Sequence, residues 1–156
     1  MLPPFSIAAV PGQPVAGSPH KMNIILAYEN LSAALWAAEA FTGLLRRSFE
    51  GQTTELSPWS FATLANPACR AQATDAATRA DLIVIAASSG FKLLPAVVET
   101  WLGKCLSGPR RANRAVAAFF GHAHRPEAAD SLRLQTVQRL AKEAGCQFLI
   151  PFTPEA

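Results

Sequence analysis

The chain has three cysteines, Cys69, Cys105 and Cys146, and no two of them form a C-x-x-C pair. An odd, widely spaced set excludes a disulfide framework and a zinc ribbon. Two of the three fall on apolar helix or strand positions, so reduced, buried thiols in a cytoplasmic protein are the expectation. Charge is scarce too. Asp, Glu, Lys and Arg make up 16% of the residues, and the formal net charge is only +3. A nucleic-acid partner needs a clustered basic face and is therefore not expected. No apolar run approaches the ~20 residues of a membrane-spanning helix, so no membrane partner is expected either. No strand-like segment leads into G-x-G-x-x-G or a Walker loop, which excludes a standard dinucleotide or nucleotide-phosphate cradle. A G-x-S-x-G nucleophile elbow is also missing.

What is present is a globular composition. Half of the 156 residues are hydrophobic, enough for one domain with a sizeable core. Residues 1–21 stand apart, with five prolines and no apolar periodicity. They lack the basic start and long apolar stretch of a secretory signal. Either Met22 is the natural start, or 1–21 is a disordered or extended arm preceding a single domain over 22–156.

From residue 22 onward, strand-like and helix-like segments alternate. Residues 23–28 form a short continuous apolar run, as expected of a strand buried on both faces. A helix follows to about Phe49, with Leu31, Leu35, Ala38, Thr42, Leu45 and Phe49 at helical spacing and Gly51 as its stop. Residues 53–56 read as a second strand, ended by Ser57 and Pro58. Residues 59–80 read as a loop, with Trp59 overhanging the second strand's end, and then a helix ending near Arg79. Residues 82–87, Leu-Ile-Val-Ile-Ala-Ala, give the strongest strand signal. A third helix starts at Leu94–Pro95, and the pairs Val97/Val98, Trp101/Leu102 and Cys105/Leu106 form its buried stripe. Residues 115–120 are a fourth strand. Pro126 to Ala144 carries a fourth helix, with Leu134, Val137, Leu140, Ala141 and Ala144 inward and Gly145 as its stop. Residues 146–150 are a fifth strand, with no residues left for a further helix.

This alternation implies right-handed crossovers and an α/β fold: a doubly wound three-layer sandwich around a five-stranded parallel sheet, in the order 2-1-3-4-5. Ligands of such sheets bind beyond the carboxyl ends of the strands, at the switch point between strands one and three. The loops that matter are therefore 29–32, 88–94 and 121–125.

The third-strand loop and its helix, residues 87–102, read Ala-Ser-Ser-Gly-Phe-Lys-Leu-Leu-Pro-Ala-Val-Val-Glu-Thr-Trp-Leu. This stretch resembles the equivalent part of flavodoxins and NAD(P)H-dependent FMN reductases. There a strand ends in a small, polar, glycine-containing loop, and a proline starts a helix carrying a Trp or Leu pair. The resemblance implies a flavodoxin-like fold over 22–152, FMN as cofactor and, for an enzyme, a flavin-dependent oxidoreductase. The flavin ring would meet Ser88, Ser89, Gly90 and Phe91, with Lys92 neutralising a phosphate. A purely structural account of the same residues has Gly90 making the turn, Phe91 covering the sheet edge and Lys92 solvated.

The first loop departs from that pattern. Flavodoxins cradle phosphate with a Ser/Thr- and Gly-rich loop at a helix N-terminus, whereas this chain has Tyr28-Glu29-Asn30-Leu31-Ser32. Glu29 repels phosphate. Asn30 and Ser32 can donate to a ligand, but both are also ordinary helix caps. In the fourth loop, His122 and His124 are two apart, a pattern used in acid–base or metal chemistry and equally in a polar surface loop. A metal shared with Glu29 would have to span ~10 Å, and no metal site is assigned. Lys104, Arg110, Arg111 and Arg114 form the one basic cluster, read as a solvated turn at the amino end of strand four.

Two functional readings stay open. One is a domain that binds FMN or another small anionic ligand through Asn30, Ser32, Ser88–Lys92 and His122. The other is a non-catalytic, receiver-like regulatory domain acting through a protein partner or a homodimer face. A receiver would need an acidic pair after strand one, an Asp after strand three and a Lys after strand five. The chain offers Glu29, Ser88 and Pro151, so a working phosphoacceptor is excluded. Catalytic residues are not assignable.

Overall fold

Six consecutive apolar residues, Leu82–Ala87, form the central strand, and all six are buried. A strand covered on both faces needs no alternation, which is why it reads as a continuous apolar run. The computed structural model describes residues 21–48, 53–88, 93–107, 114–122, 125–126 and 131–149. In chain order the elements are β1 (Lys21–Tyr28), α1 (Leu31–Ser48), β2 (Thr53–Ser60), α2 (Phe61–Leu64) and α3 (Pro67–Thr78). Then come β3 (Leu82–Ala87), α4 (Ala96–Leu106), β4 (Ala115–His122), β5 (Arg125–Pro126), α5 (Leu132–Glu143) and β6 (Gln147–Leu149).

β1 pairs with β2 and β3, and β4 pairs with β3 and β6, all in parallel. The five parallel strands thus follow the expected order 2-1-3-4-5. Successive residues of each strand alternate between two cores. Ile25, Ala27, Ile83, Ile85, Val116, Ala118 and Phe120 meet α2, α3, α4 and α5 on one face. Ile24, Leu26, Leu82, Val84, Ala117 and Phe119 meet α1 on the other.

Several local expectations are corrected. The inward face of α1 is Ala33, Ala34 and Ala37, while Leu31 and Leu35 are 67% and 57% exposed. α1 crosses β1, β3 and β4, and close approach to a sheet favours small side chains. Its roll is fixed by Trp36, whose ring meets Phe119 edge-on at 5.5 Å and 87°. That turns the Leu31/Leu35 flank away from β4. The side chains of Thr42 and Leu45, and Phe49 altogether, lie outside the described residues.

β2 does not stop at Leu56 but runs through Pro58 to Ser60, with Pro58 beside Leu26 of β1. As an edge strand it bonds on one side only, and edge strands are where a sheet tolerates proline. Trp59 accordingly lies in β2 beside Ala27 and packs against the larger core, rather than overhanging from a loop. Third, the stretch after it holds two helices. Ser60 caps α2 by accepting from Thr63 N–H at 3.0 Å. Asn66 caps α3 by accepting from Ala68 and Cys69 N–H at 2.9 and 3.1 Å, with Pro67 opening the first turn.

Fourth, Pro126 belongs to β5 instead of a helix, and pairs antiparallel with Gly121. Gly121 has φ 101°, a left-handed conformation open to glycine where β4 leaves the parallel sheet for this short hairpin. α5 begins later, at Leu132, after the N-cap Ser131. Gly145, at φ 77°, follows α5 as expected.

Arg114 is not solvated. It is buried and donates to the carbonyls of Ala77 at 2.8 Å and Cys105 at 3.4 Å, tying together the C-terminal ends of α3 and α4. Those ends carry partial negative charge, which a guanidinium complements. Arg110 and Arg111 lie outside the described residues. Among the described residues, no helix is long and apolar enough to cross a membrane.

Candidate functional site

The carboxyl ends of β1, β3 and β4 converge on one side of the sheet, and the loops that follow them are stitched together by polar side chains. The link from β1 to α1 is two residues long, Glu29 and Asn30. Glu29 N–H donates to the Ala86 carbonyl at 2.9 Å and so extends the β1–β3 ladder by one rung. That rung holds the Glu29 carboxylate opposite Ser88. Its Oε1 accepts from Ser88 N–H at 2.9 Å and from Ser88 Oγ–H at 3.1 Å.

Asn30 works in two directions. Its Oδ1 accepts from Ala33 N–H at 2.9 Å, which caps α1. Its Nδ2 donates to Ser88 Oγ, also at 2.9 Å. Ser88 therefore has its amide, its hydroxyl proton and a hydroxyl lone pair all engaged by the first loop.

The Ser88 carbonyl completes the set. It accepts from Arg133 Nη2 at 2.7 Å, a length typical of a charge-assisted bond. Arg133 stands in the first turn of α5, is 1% exposed, and stacks its guanidinium over the Phe120 ring at 4.6 Å. Phe120 lies near the carboxyl end of β4 and is itself buried. Carboxylate, serine and guanidinium thus form one connected layer across the ends of β1, β3 and β4. Arg133 was not singled out from sequence, although a signal was there. It stands four residues before Val137 and eight before Ala141, squarely on the apolar stripe of α5, where a charged residue calls for a partner.

Of the residues picked out from sequence, the structure brings Asn30 and Ser88 into direct contact, and adds Glu29 between them. Ser32 is exposed in the first turn of α1. Ser89, Gly90, Phe91 and Lys92 lie outside the described residues, as does His124. The backbone of His122 ends β4 and pairs with Arg125; its side chain is outside the description. Among the described residues, no group of three or more His, Cys, Asp and Glu side chains converges.

None of the three cysteines is in a disulfide. Burial pushes the Cys105 thiol up to about 12, only partly offset by a hydrogen bond with Thr74 and by the charges of Arg114 and Lys104. It stays protonated and is no nucleophile at neutral pH. A cavity of about 500 Å³ lies elsewhere, between α3 and α4, lined by residues that include Arg70, Thr74, Trp101 and Lys104. Arg70 is already bonded there to the carbonyls of Leu64 and Ala65, so this space reads as a gap between helices beside a strapped turn.

No family model matches this chain, and no curated protein matches it. Solved structures do. The fold is similar to a flavodoxin from Streptococcus pneumoniae TIGR4, with 13% identity over 88% of this chain and 87% of that one, TM-score 0.52. It is similar to a flavodoxin from the domain Archaea, with 15% identity over 86% of each chain, TM-score 0.53. An azoreductase from Bacillus anthracis str. Sterne is more distant, at 11% identity over 83% of this chain and 86% of that one, TM-score 0.48. The chain has the flavodoxin-like fold.

Proposed function

We propose that this domain binds a small planar ligand in the crevice at the carboxyl ends of β1 and β3, with a flavin as the first candidate. The observation that carries this reading is the layer Glu29–Ser88–Arg133. It fixes the first and third loops to each other and to α5 at the switch point where this topology places ligands. Polar side chains held by rigid elements and by one another make a preorganised wall. The flavodoxin-like fold supports FMN as the first candidate, and the sequence next to Ser88, residues 89–92, includes an aromatic residue and small ones.

The residues fit the two ends of FMN unequally. A planar ring needs a stacking or edge contact. A phosphate needs inward N–H donors at the start of α1, and there the link is two residues long and Asn30 takes up one of them, that of Ala33. A bound flavin would itself supply the electron-transfer chemistry, and the chain would supply binding and orientation.

The visible spectrum of the purified full-length protein, before and after incubation with flavin and desalting, tests this. Retained yellow colour with quenched flavin fluorescence is the expected result. Absence of any flavin binding at micromolar concentration removes the reading.

A second reading, a protein partner or second copy docked at the same end of the molecule, draws on a different observation. Leu31, Leu93 and Leu132 open or precede α1, α4 and α5 there, with Leu35 one turn further along α1, and all four are exposed. Exposed leucines gathered at one end of a domain are a feature of interaction surfaces.

A further inference from the structure

We infer that the cavity of about 500 Å³ between α3 and α4 is a binding site of its own, taking a small amphipathic carboxylate, an apolar body that ends in one anionic group. It shares no residue with the layer Glu29–Ser88–Arg133, so it does not rest on the flavin reading.

The gap is more than slack between two helices. Ala71 of α3 and Ala96 of α4 both line it, and side chains this small leave the space between the helices unfilled. Its volume falls within the roughly 300–1,000 Å³ of small-molecule sites, which combine apolar walls with a few polar groups. Val97 and Trp101 add to the apolar wall. Trp101 is 1% exposed, and its buried indole N–H has no acceptor among the described residues. A buried donor of this kind is relieved by an acceptor brought beside it.

The charges of the wall are of one sign. Arg70 and Lys104 line the cavity, and no carboxylate does. Arg70 is held in place through Nη1, which donates to the carbonyls of Leu64 at 2.9 Å and Ala65 at 3.3 Å. That strap leaves the Nε and Nη2 edge without an acceptor among the described residues. This edge is the fork that meets a carboxylate with two parallel bonds. Lys104 is exposed, and its ammonium has no carboxylate partner among the described residues. Each helix carries one carboxylate, and both are engaged elsewhere: Asp75 by Arg79 at 2.8 Å, and Glu99 by Arg139 at 3.7 Å. Thr74 gives its hydroxyl proton to the Arg70 carbonyl at 2.8 Å, while Thr100 stands exposed in the wall. An anionic head on an apolar body matches this set, and a neutral molecule leaves its charges unused.

The test is a titration of the full chain with octanoate, with octanol as the uncharged counterpart, followed through backbone amide shifts in ¹H–¹⁵N spectra. Octanoate is expected to bind more tightly than octanol and to shift amides of α3 and α4 rather than those of α1. Lys104→Gln, at an exposed position, should weaken octanoate about fivefold, the upper range for one exposed charge pair, and leave octanol unchanged. Added salt should weaken octanoate and not octanol. Ala71→Leu exchanges one good helix former for another at an exposed position and fills the cavity, so it should abolish binding of both.

Octanoate binding no tighter than octanol, or shifts confined to other elements, overturns the inference. So does octanoate binding unaltered in folded Ala71→Leu. The wild-type comparison and its salt response decide the matter if a variant does not fold. If light scattering shows a dimer that Ala71→Leu returns to monomer, a second copy fills the cavity, and the assignment to a small ligand is overturned. Flavin binding, present or absent, leaves each of these outcomes unchanged.

Discussion

Replacing Arg133 by methionine isolates what a buried guanidinium contributes to the wall of the crevice. Methionine keeps most of the apolar stem in place but cannot donate to the Ser88 carbonyl, which now receives a 2.7 Å bond. A hydrogen bond from a charged donor is worth about 1.5–3 kcal/mol. The stacking on Phe120, at 4.6 Å and out of solvent, adds roughly 1–2 kcal/mol. Against these stands the relief of no longer holding a guanidinium out of water, a cost of several kcal/mol that partly cancels both. The net expected loss is about 2 kcal/mol, a fall in Tm of roughly 4–8 °C for a chain of this size. Arg133→Ala removes two further buried methylenes at about 0.8 kcal/mol each, and so should be clearly worse than Arg133→Met. Urea unfolding followed by tryptophan fluorescence, with Phe120→Leu as a control that weakens only the stacking, gives the three numbers. Because the carbonyl belongs to Ser88, flavin affinity should fall together with stability in Arg133→Met. If Arg133→Met is as stable as the wild type within about 0.5 kcal/mol, the guanidinium does not brace the third loop, and the layer described above is not one mechanical unit.

Two further outcomes follow from the same structure. Cys105 has its thiol raised from 9.0 to about 12 by burial, so the folded state favours the neutral form more strongly than the unfolded chain does. The stability this confers is fully present below pH 9 and is lost as the pH climbs toward 12, by up to roughly 1.4 kcal/mol per pH unit. A falling urea midpoint across that window, absent in Cys105→Ala, is the expected result, and thiol labelling at pH 8 should reach half-buried Cys69 and Cys146 well before Cys105. On α1, Leu35→Lys should leave stability within about 0.5 kcal/mol of the wild type, because the side chain is 57% exposed. If a second copy docks on that flank, the same substitution lowers the molar mass measured by light scattering; an unchanged mass removes this flank from any dimer.

The architecture was legible because burial leaves a local record in the sequence. Leu82–Ala87 is apolar at every position since both of its faces are covered, and the stripe Val98, Trp101, Leu102, Cys105 and Leu106 repeats with the helix because one face is covered. Strand order follows from that rhythm and the handedness of crossovers. The short polar link after β1 was legible for the same reason: it is written in consecutive residues.

Other features depend on which parts of the chain meet. Leu31 and Leu35 sit at helical spacing yet face outward, because the contact of Trp36 with Phe119 decides the roll of α1 and only alanines fit beneath it. Pro58 stays within a strand because β2 proves to be an edge. The polar layer of the crevice joins residues 59 and 45 positions apart, Glu29 to Ser88 and Arg133 to Ser88. In the sequence Glu29 is one acidic residue in a loop and Arg133 one basic residue on a helix. Hydrophobic patterning determined the succession of strands and helices by itself, since it reports which stretches of chain are buried. The partners of buried and half-buried polar groups were settled only when the sheet brought the ends of β1, β3 and β4 together, since a hydrogen bond is set by position in space and leaves no period in the chain.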